Sequence, residues 1–440
     1  MADSPTLVVE ASWIIPVDPS DSVLRDHAVV VSGGVIREVV PAREARNRHP
    51  GARHIELAHH ALIPGLINLH THAAMALMRG LADDRALMDW LQNHIWPVES
   101  RLVSDAFVHD GTLLACAEML RGGITCFNDM YFYPGAAARA ALEAGVRAAL
   151  GIIVIEMPSP YAADAQDYLT KGLETRDSLK HEPLLSFCIA PHAPYTVSDK
   201  SFERIAMLQG ELELPLHIHV HETRDEIGQS LAHHGVRPLA RLERLGLVDA
   251  ALIAVHAVHL TDQEGDLLAR KGCHIAHCPS SNLKLASGIG SPARLLGKGV
   301  NVALGTDGAA SNNRLDVFTE MRLAALLAKG AAGDPTLLPA HTALEMATVR
   351  AARALGLEDR VGTLAPGKLA DMTAVNLEAL ELAPCYDPVS HLVYAAGREH
   401  VSHVWVNGEL LVENGRLTRL DTRELAANAS YWQAKIRNRE

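Results

Sequence analysis

Residues 62–72 read Leu-Ile-Pro-Gly-Leu-Ile-Asn-Leu-His-Thr-His, an apolar strand that ends in two histidines one residue apart. Side chains two apart on a β-strand point the same way, so His70 and His72 can converge on one ion while Thr71 faces the other side. An HxH pair at a strand end after Pro-Gly is typical of a metal site. We therefore expect metal ligands at the end of this strand.

Two later stretches place further metal-binding side chains at strand ends. Residues 217–222 read His-Ile-His-Val-His-Glu, and residues 305–307 read Gly-Thr-Asp. Alternation puts all three histidines on one face, so spacing alone does not choose the ligand, and His219 is preferred by depth while the other two are core or rim residues. Asp307 could bind metal or cap the following helix, and its motif context favours metal. His256, which ends another apolar strand, is either catalytic or a buried histidine with a hydrogen-bonded ring.

Between the chain ends, strand-like segments alternate with helical ones. Eight parallel strands alternating with helices predict an α/β fold, a (β/α)8 TIM barrel, whose reactive residues gather at the carboxyl ends of the strands. A doubly wound open sheet would also alternate, but it would carry a glycine-rich nucleotide loop after its first strand, and the sequence has none there. The expected barrel strands lie at Ile63, Ile124, Ile152–Ile155, Leu184–Ala190, Leu216–Val220, Leu252–His256, His274–His277 and Val300–Leu304.

Both ends of the chain consist of short strand-like segments joined by turns. Gly33-Gly34 and Asn407-Gly408 are typical hairpin turns. We predict a small composite β-sandwich domain built from residues 1–63 and 366–440, and a metal-dependent catalytic barrel built from residues 64–365.

The composition limits the class of protein. Hydrophobic residues make up 48% of the 440 residues and charged residues 21%, which is globular, and the apolar runs are too short to span a bilayer. The amino terminus lacks a secretory pattern and the six cysteines form no CxxC pair, so we expect a cytoplasmic protein. A formal charge of −12 without a basic run disfavours nucleic acid and favours a small-molecule substrate.

Three imidazoles and one carboxylate form a ligand set that Zn²⁺ accepts when one position stays open to water and substrate. Water at such a position loses a proton far more easily than bulk water does. Asp307 would then have two tasks, holding the metal with one oxygen and accepting the proton of water with the other, while His256 hydrogen-bonds the nucleophile. Glu222, where the chain leaves its strand, could hand a proton to a ring nitrogen, or it is a solvated acid at the start of a helix.

Six motifs in chain order carry a family resemblance. On these motifs the chain resembles the amidohydrolase superfamily and, within it, the 5-methylthioadenosine/S-adenosylhomocysteine deaminase branch. The motifs are residues 64–72, 190–195 (Ala-Pro-His-Ala-Pro-Tyr), 219–223 (His-Val-His-Glu-Thr), 254–260 (Ala-Val-His-Ala-Val-His-Leu), 278–285 (Cys-Pro-Ser-Ser-Asn-Leu-Lys-Leu) and 304–313 (Leu-Gly-Thr-Asp-Gly-Ala-Ala-Ser-Asn-Asn).

The resemblance implies hydrolytic deamination of adenine nucleosides, namely 5-methylthioadenosine, S-adenosylhomocysteine and adenosine, to the inosine analogues plus ammonia. It implies a homo-oligomer and a single metal ion, since Lys171 and Lys180 lie outside the strand ends where a bridging lysine would stand. The implied metal ligands are His70, His72, His219 and Asp307; the implied proton handlers are Glu222, His256 and Asp307.

The resemblance also implies the substrate contacts. Trp90 would lie over the substrate, Glu99 would hold ribose hydroxyls, and His192 would help hold the nucleoside, beside Glu222 and Asp307. Spacing alone would make Glu99 a helix-surface carboxylate and Trp90 a packing residue.

Other substrates and another class of protein remain open at this point. The segment after Ile152–Ile155, where this branch often has arginines, offers none until Arg176, which favours methylthioadenosine or adenosine over S-adenosylhomocysteine. Deamination or dechlorination of a triazine or a free, guanine-like nucleobase would use the same metal site without a ribose contact. A metal protein without catalysis is disfavoured because Glu222, His256 and Asp307 are all present.

Overall fold

The structure, a computed structural model, describes residues 6–20 and 22–438. Residues 1–5, 21, 439 and 440, which the predicted terminal domain includes, lie outside the described residues. The strands are β1 Leu7–Ile14, β2 Leu24–Ser32, β3 Val35–Pro41, β4 Arg53–Pro64, β5 Leu66–Thr71, β6 Ile124–Asp129, β7 Arg147–Val154, β8 Leu185–Pro191, β9 Leu216–Val220, β10 Leu252–His256, β11 His274–His277, β12 Asn301–Leu304, β13 Met372–Asn376, β14 Val401–Val406, β15 Glu409–Glu413 and β16 Arg416–Leu417.

Strands β5 to β12 form one parallel sheet in chain order, each strand hydrogen-bonded to the next. The first and last strands meet at the carboxyl end, where the Asp307 N–H donates to the His70 carbonyl at 3.0 Å. The Thr306 N–H likewise donates to the Asn68 side-chain oxygen at 2.9 Å. The predicted (β/α)8 barrel is thus confirmed, and the barrel places residues that follow its strands on one rim.

Helices alternate with the barrel strands along the chain. Among the described residues, no helix is both long and apolar enough to cross a bilayer. The helices are Ala42–Arg48, Leu87–Trp90, Trp96–Leu102, Asp105–Arg121, Pro134–Ala144, Ala165–Leu179, Asp199–Leu212, Arg224–His234, Pro238–Arg244, Asp262–Lys271, Pro279–Lys284, Pro292–Gly297, Ala309–Asn312, Val317–Ala332, Ala340–Met346, Val349–Ala354, Pro388–Tyr394 and Thr422–Arg437, with short 3₁₀ segments at Ala73–Met78, Leu380–Leu382 and Arg398–His400 and a π-helical turn at Leu91–Ile95.

The first barrel strand begins later than the sequence predicts. Ile63 lies in β4 of the other sheet, where it pairs with Thr373, and the barrel strand starts at Leu66. Gly65 makes the change of sheet possible because a Cβ atom there would lie 2.1 Å from the Thr125 hydroxyl oxygen. Counting Ile63 as a barrel residue is therefore wrong, since Pro64-Gly65 ends one sheet and starts the next.

The two chain ends build a second sheet together, as predicted. Its strand order is β16-β15-β14-β13-β4-β1-β2-β3, and β4 joins the halves by running parallel to β1 and antiparallel to β13. Val9, Val29, Met372 and Trp405 belong to one buried cluster that spans both halves. Hairpins join β2 to β3 and β14 to β15 at the predicted glycine turns. The exact domain boundaries stay a prediction.

Candidate active site

Four side chains from three strand ends converge on the rim of the barrel. His70 ends β5 and His72 follows it, His219 lies on β9, and Asp307 follows β12; one ligand atom of each lies within 4.8 Å of the others. The Nε2 atoms of His70 and His72 are 3.3 and 3.2 Å from Asp307 Oδ1. The Nε2 atom of His219 is 3.2 Å from that of His70.

Some of these separations are close to the spacing of ligand atoms around one metal ion. With zinc bonds of about 2.0–2.1 Å, neighbouring ligand atoms of a tetrahedron are about 3.3 Å apart. Three of the six separations among these atoms are 3.2 to 3.3 Å, and all four atoms lie within 4.8 Å of one another. Imidazole nitrogens and a carboxylate oxygen are ligands that zinc accepts. The residues present therefore fit a single divalent ion.

In two of these rings, the nitrogen that faces away from the cluster is hydrogen-bonded to a backbone carbonyl oxygen. Nδ1 of His72 lies 2.6 Å from the Met130 carbonyl oxygen, and Nδ1 of His219 lies 2.7 Å from the His192 carbonyl oxygen. Because a carbonyl only accepts, each Nδ1 carries the proton and donates. Each Nε2 is then the ring nitrogen that faces into the cluster.

The three histidines on and after β9 have three different surroundings. His219 belongs to the cluster, whereas His217 lies deeper, fully buried, with its Nε2 3.0 Å from Nδ1 of His70. His221 has a φ of +57° and leaves the strand, and its Nε2 accepts the Leu239 N–H at 3.1 Å. The expectation that all three histidines share one face is therefore wrong for His221, because the strand ends at Val220.

Burial and neighbouring charge set the protonation of the cluster. Burial, together with the nearby imidazoles, lowers the pKa of His70 to about 4 and that of His219 well below its ordinary value, so both rings are neutral at pH 7. Burial also opposes protonation of His72, but the adjacent Asp307 carboxylate outweighs it and raises the pKa of His72 to about 9. Although burial acts in the opposite direction, hydrogen bonds from both rings hold the pKa of Asp307 well below its usual range.

Asp307 is oriented by hydrogen bonds to both of its oxygens. Oδ2 accepts the hydroxyls of Ser281 at 2.6 Å and Ser311 at 2.8 Å, and Oδ1 accepts the Gly308 N–H at 2.7 Å. Oδ1 is therefore the oxygen that faces the histidines. The sequence interpretation gave the two serines no role, although both lie in the motifs that it singled out.

Glu222 and His256 lie beside the cluster. Nε2 of His256 is 3.8 Å from Oε2 of Glu222, and the His256 ring stacks on His219 with centroids 5.4 Å apart. Burial raises the pKa of Glu222, which favours a protonated carboxyl at higher pH than usual. His256 and Asp307 adopt left-handed backbone angles, with φ of +66° and +61°. Such strain is concentrated at functional sites.

One cavity covers the cluster, with a volume of about 1190 Å³ including its open mouth. Trp90, Glu99, His192, Glu222 and His256 all lie on its wall. No lysine or arginine stands among the described residues that line it. The rest of the wall is largely apolar and includes Leu91, Ile95, Trp96, Phe132, Ile153, Ile155, Met157 and Leu285.

A π-helical turn brings Trp90 and Glu99 to the same cavity. In a regular α-helix, nine residues make about two and a half turns, so these two side chains would point to opposite faces. The turn at Leu91–Ile95 is wider, and the lining positions accordingly recur at residues 87, 91, 96 and 100, with one spacing of five. Hydrophobic spacing in the sequence gave no signal for this turn.

Tyr131 is a cavity residue that the sequence interpretation missed. Its hydroxyl donates to Oε1 of Glu99 at 2.7 Å, and both side chains are buried. Burial raises the pKa of Glu99, and the hydrogen bond from Tyr131 partly offsets that effect. The available signal was position, because Tyr131 follows the carboxyl end of β6 by two residues.

Comparison with known proteins gives relatives over the whole chain. The sequence pattern of the amidohydrolase family matches residues 61–411. A curated protein from Saccharophagus degradans named 5-methylthioadenosine/S-adenosylhomocysteine deaminase is 47% identical over 98% of this chain and 96% of its own.

Two solved structures superimpose closely. The crystal structure of an adenosine deaminase from Xanthomonas campestris with bound zinc has a TM-score of 0.97 and 49% identity, covering 98% of each chain. The atrazine chlorohydrolase of Arthrobacter aurescens TC1 complexed with zinc has a TM-score of 0.89 and 25% identity, covering 97% of this chain and all of the other.

Proposed function

The chain belongs to the amidohydrolase family, and on that basis we propose that it is a metal-dependent hydrolase that deaminates adenine nucleosides. The substrates are 5-methylthioadenosine, S-adenosylhomocysteine and adenosine, and the products are the inosine analogues and ammonia. The observation that carries the proposal is the convergence of three imidazoles and a carboxylate beside Glu222 and His256, in one cavity with Glu99. The 47% identity to a curated deaminase of this name supports the substrate class.

His70, His72, His219 and Asp307 would hold one divalent ion, and the zinc in the Xanthomonas campestris adenosine deaminase supports zinc as that ion. A zinc ion there supplies Lewis acidity, which lowers the pKa of water to about 7 and so provides a nucleophile at neutral pH.

Glu222 is the proton donor to the adenine ring. Its carboxyl lies on the cavity wall, and burial raises its pKa, so it can keep a proton that a solvent-exposed glutamate would lose. Protonation of N1 withdraws electrons from C6 and makes that carbon open to attack by water.

His256 and Asp307 handle the protons of the attacking water. His256 accepts a hydrogen bond from that water through Nε2, and Asp307 takes its proton and passes it to the departing amino group. The oxygen of water stays on C6, the bond from C6 to the amino nitrogen breaks, and ammonia leaves. The proton that remains on this oxygen returns to Glu222 as the C6 carbonyl forms, which restores the carboxyl that protonated N1. The oxygen on C6 and the proton gained by ammonia thus both come from one water.

Glu99, Trp90 and His192 hold the nucleoside. Because Oε1 of Glu99 is occupied by the Tyr131 hydroxyl, Oε2 remains available to ribose hydroxyls. Trp90 supplies an apolar ring face over the substrate. The apolar wall, without lysine or arginine among its described residues, favours the uncharged 5′ groups of methylthioadenosine and adenosine over the homocysteine carboxylate.

The two other candidate functions have less support. A triazine or free-nucleobase enzyme needs the same metal ligands but no ribose contact, and the atrazine chlorohydrolase is only 25% identical to this chain. A metal protein without catalysis would have no use for Glu222 and His256 on the wall of the cavity.

The test is a steady-state comparison on zinc-loaded protein. Adenosine, methylthioadenosine and S-adenosylhomocysteine should release ammonia and lose the adenine absorbance band, with kcat/KM highest for the uncharged 5′ groups. Glu99→Gln should raise KM for nucleosides and leave that for free bases unchanged. Zinc-replete protein that turns over none of the nucleosides, or that prefers guanine or a triazine, would overturn the proposal.

Oligomeric state and location form a further part of the proposal. Family habit supports a homo-oligomer, and the six cysteines, which form no disulfide, are compatible with a reducing cytoplasm. Sedimentation velocity should give a mass that is a multiple of the 47.4 kDa chain; a monomer at micromolar concentration would contradict it.

A further inference from the structure

One short piece of chain contacts all three groups that we assign to proton transfer. It comprises residues 281–287, the end of the helix Pro279–Lys284 and the turn that follows, and we call it the positioning segment. We propose that this segment fixes the hydrogen-bonding state of His256, Glu222 and Asp307 and thereby sets the turnover rate. The inference rests on the proposed function, since it concerns the residues that perform it.

Asn282 selects the tautomer of His256. Its side-chain oxygen, Oδ1, lies 2.8 Å from Nδ1 of His256, and both side chains are buried. An amide oxygen can only accept, so Nδ1 carries a proton, and in the neutral ring Nε2 is then the lone pair. That lone pair points to the side of the ring where Glu222 lies, 3.8 Å away. His256 is thus held as an acceptor for the attacking water.

The amide nitrogen of Asn282 supports a functional role for the contact between the Asn282 oxygen and His256. Nδ2 of Asn282 is buried and has no hydrogen-bond partner among the described residues. A buried amide nitrogen without a partner is unfavourable. A leucine would avoid that cost, so the asparagine is explained by what its oxygen does for His256.

Ser287 reaches Glu222 from the same segment. Its hydroxyl donates to Oε1 of Glu222 at 3.3 Å. Its N–H donates to the Asn282 carbonyl at 2.9 Å, and its carbonyl accepts from Nε2 of His259 at 2.7 Å. The contacts to His256 and Glu222 are therefore joined through one backbone hydrogen bond.

Ser281 completes the set at Asp307. Its hydroxyl donates to Oδ2 at 2.6 Å and, with that of Ser311, occupies this oxygen. Oδ1 is left to face His70 and His72. The segment thus decides which carboxylate oxygen is directed at the cluster.

The segment is anchored at both ends of its helix and stands behind the substrate cavity. The Ser280 N–H donates to Oε2 of Glu320 at 3.0 Å, and Nζ of Lys284 donates to Oδ1 of Asp83 at 2.6 Å. Of the segment's described residues, Leu285 alone lines the cavity. Substitutions at Asn282 should therefore change kcat and leave KM nearly unchanged.

The decisive experiment compares Asn282→Leu with Asn282→Asp in zinc-loaded protein. Leucine removes the acceptor, and kcat should fall about 100-fold with KM changed less than about threefold. Aspartate keeps an oxygen toward Nδ1, and kcat should recover to within about tenfold of the unchanged protein. Met207→Gln, an exposed position on the helix Asp199–Leu212, is the control outside the segment and should leave both constants unchanged. Zinc content and thermal midpoint are measured for every variant.

A second readout does not depend on turnover. Nitrogen-15 spectra of histidine-labelled protein, with His256→Gln to identify the resonances, should show His256 as the Nδ1–H tautomer, and Asn282→Leu should abolish that preference. The proposal is overturned if His256 carries its proton on Nε2, if Asn282→Leu keeps kcat within threefold, or if the loss is entirely one of zinc or folding. Failure of the unchanged protein to deaminate nucleosides would reject the proposed function instead, while the tautomer result would still test the segment.

Discussion

Two buried polar clusters lie at opposite ends of the barrel and differ in how their atoms are matched. At the amino end, Arg147 begins β7 and donates to both oxygens of Asp371, at 3.0 and 3.2 Å. It also donates to Asn407 Oδ1 at 2.7 Å and to the Pro183 carbonyl at 3.1 Å. The two charged residues are only 2 and 3% exposed. We call this group the floor cluster.

At the carboxyl end of the barrel, the rim cluster of His70, His72, His219 and Asp307 is hydrogen-bonded to surrounding residues on the side that faces away from the centre of the cluster. Backbone carbonyls hold Nδ1 of His72 and His219, and serine hydroxyls hold Oδ2 of Asp307. The remaining atoms, three Nε2 and one Oδ1, all lie within 4.8 Å of one another, close enough to share one metal ion. In the floor cluster the charged groups have protein partners on all sides, and such a cluster holds two parts of the fold together. In the rim cluster one side is left without such partners, and that side is available to a ligand.

The largest expected effect comes from a substitution in the rim cluster, at Asp307. Asp307→Asn keeps the shape and the serine contacts but removes the charge from the proposed metal site and the group proposed to accept the water's proton. We expect kcat to fall by on the order of 10⁴-fold, with a loss of bound zinc. Steady-state kinetics and elemental analysis measure both. The fold should persist, as read by circular dichroism, and a variant within tenfold of the unchanged protein would refute the assignment of Asp307.

The floor cluster should respond in stability and leave catalysis unchanged. Asp371→Leu leaves the Arg147 guanidinium buried without its counter-charge, and the free energy of unfolding should fall by about 3–5 kcal/mol. Urea unfolding measures it, while kcat of the folded protein should be unchanged. The double variant Arg147→Met, Asp371→Leu should recover most of that loss. If the loss in the free energy of unfolding of the double variant equals the sum of the losses in the two single variants, the pair is not coupled.

Much of the barrel could be predicted from the sequence because its strands are short apolar runs that end in polar side chains. Strands β9, β10 and β11 begin and end where the sequence predicts. Ile63 was misplaced because one apolar run, 62–69, serves two sheets, and only the close approach of Thr125 to Gly65 in three dimensions separates them.

The site was predictable where neighbouring residues share a strand and unpredictable where the backbone departs from it. The pair His70 and His72 follows from alternation. His221 does not, because a left-handed residue at the strand end turns its side chain away. Contacts such as Asn282 to His256 join residues 26 positions apart on different barrel units, so no local spacing encodes them.

Glu320 sharpens the comparison because it is buried like the floor cluster, but no salt bridge to it is found among the described residues. Its oxygens accept the Ser280 N–H at 3.0 Å and Asn312 Nδ2 at 2.8 Å. Burial, aided by the nearby Asp316 carboxylate, raises the pKa of Glu320 from 4.5 to about 7. The folded protein thus binds more protons than the unfolded chain between these pH values, and stability is lost as the pH rises through 7.

Glu320→Gln should remove that loss. At pH 8 the variant should be more stable than the unchanged protein by on the order of 2 kcal/mol, and at pH 5 the two should be similar. Urea unfolding at both pH values measures the difference. Glu211→Gln, at an exposed position, is the control and should show no change with pH. Equal stability of Glu320→Gln and the unchanged protein at pH 8 would show that the buried carboxylate costs nothing when ionised.

The smallest expected effect concerns Glu99 at the substrate end of the cavity, where one carboxylate oxygen is likewise held by a neighbouring side chain and the other is left for a ligand. The Tyr131 hydroxyl holds Oε1 of Glu99 at 2.7 Å, which leaves Oε2 for ribose. Tyr131→Phe removes one hydrogen bond worth about 1 kcal/mol, so KM for nucleosides should rise about fivefold with kcat unchanged. Tyr133→Phe is the matched control, because that hydroxyl donates to the Pro160 carbonyl instead. A fall in kcat with constant KM would place Tyr131 with the proton-transfer groups, and the distinction between binding and turnover in this cavity would then be wrong.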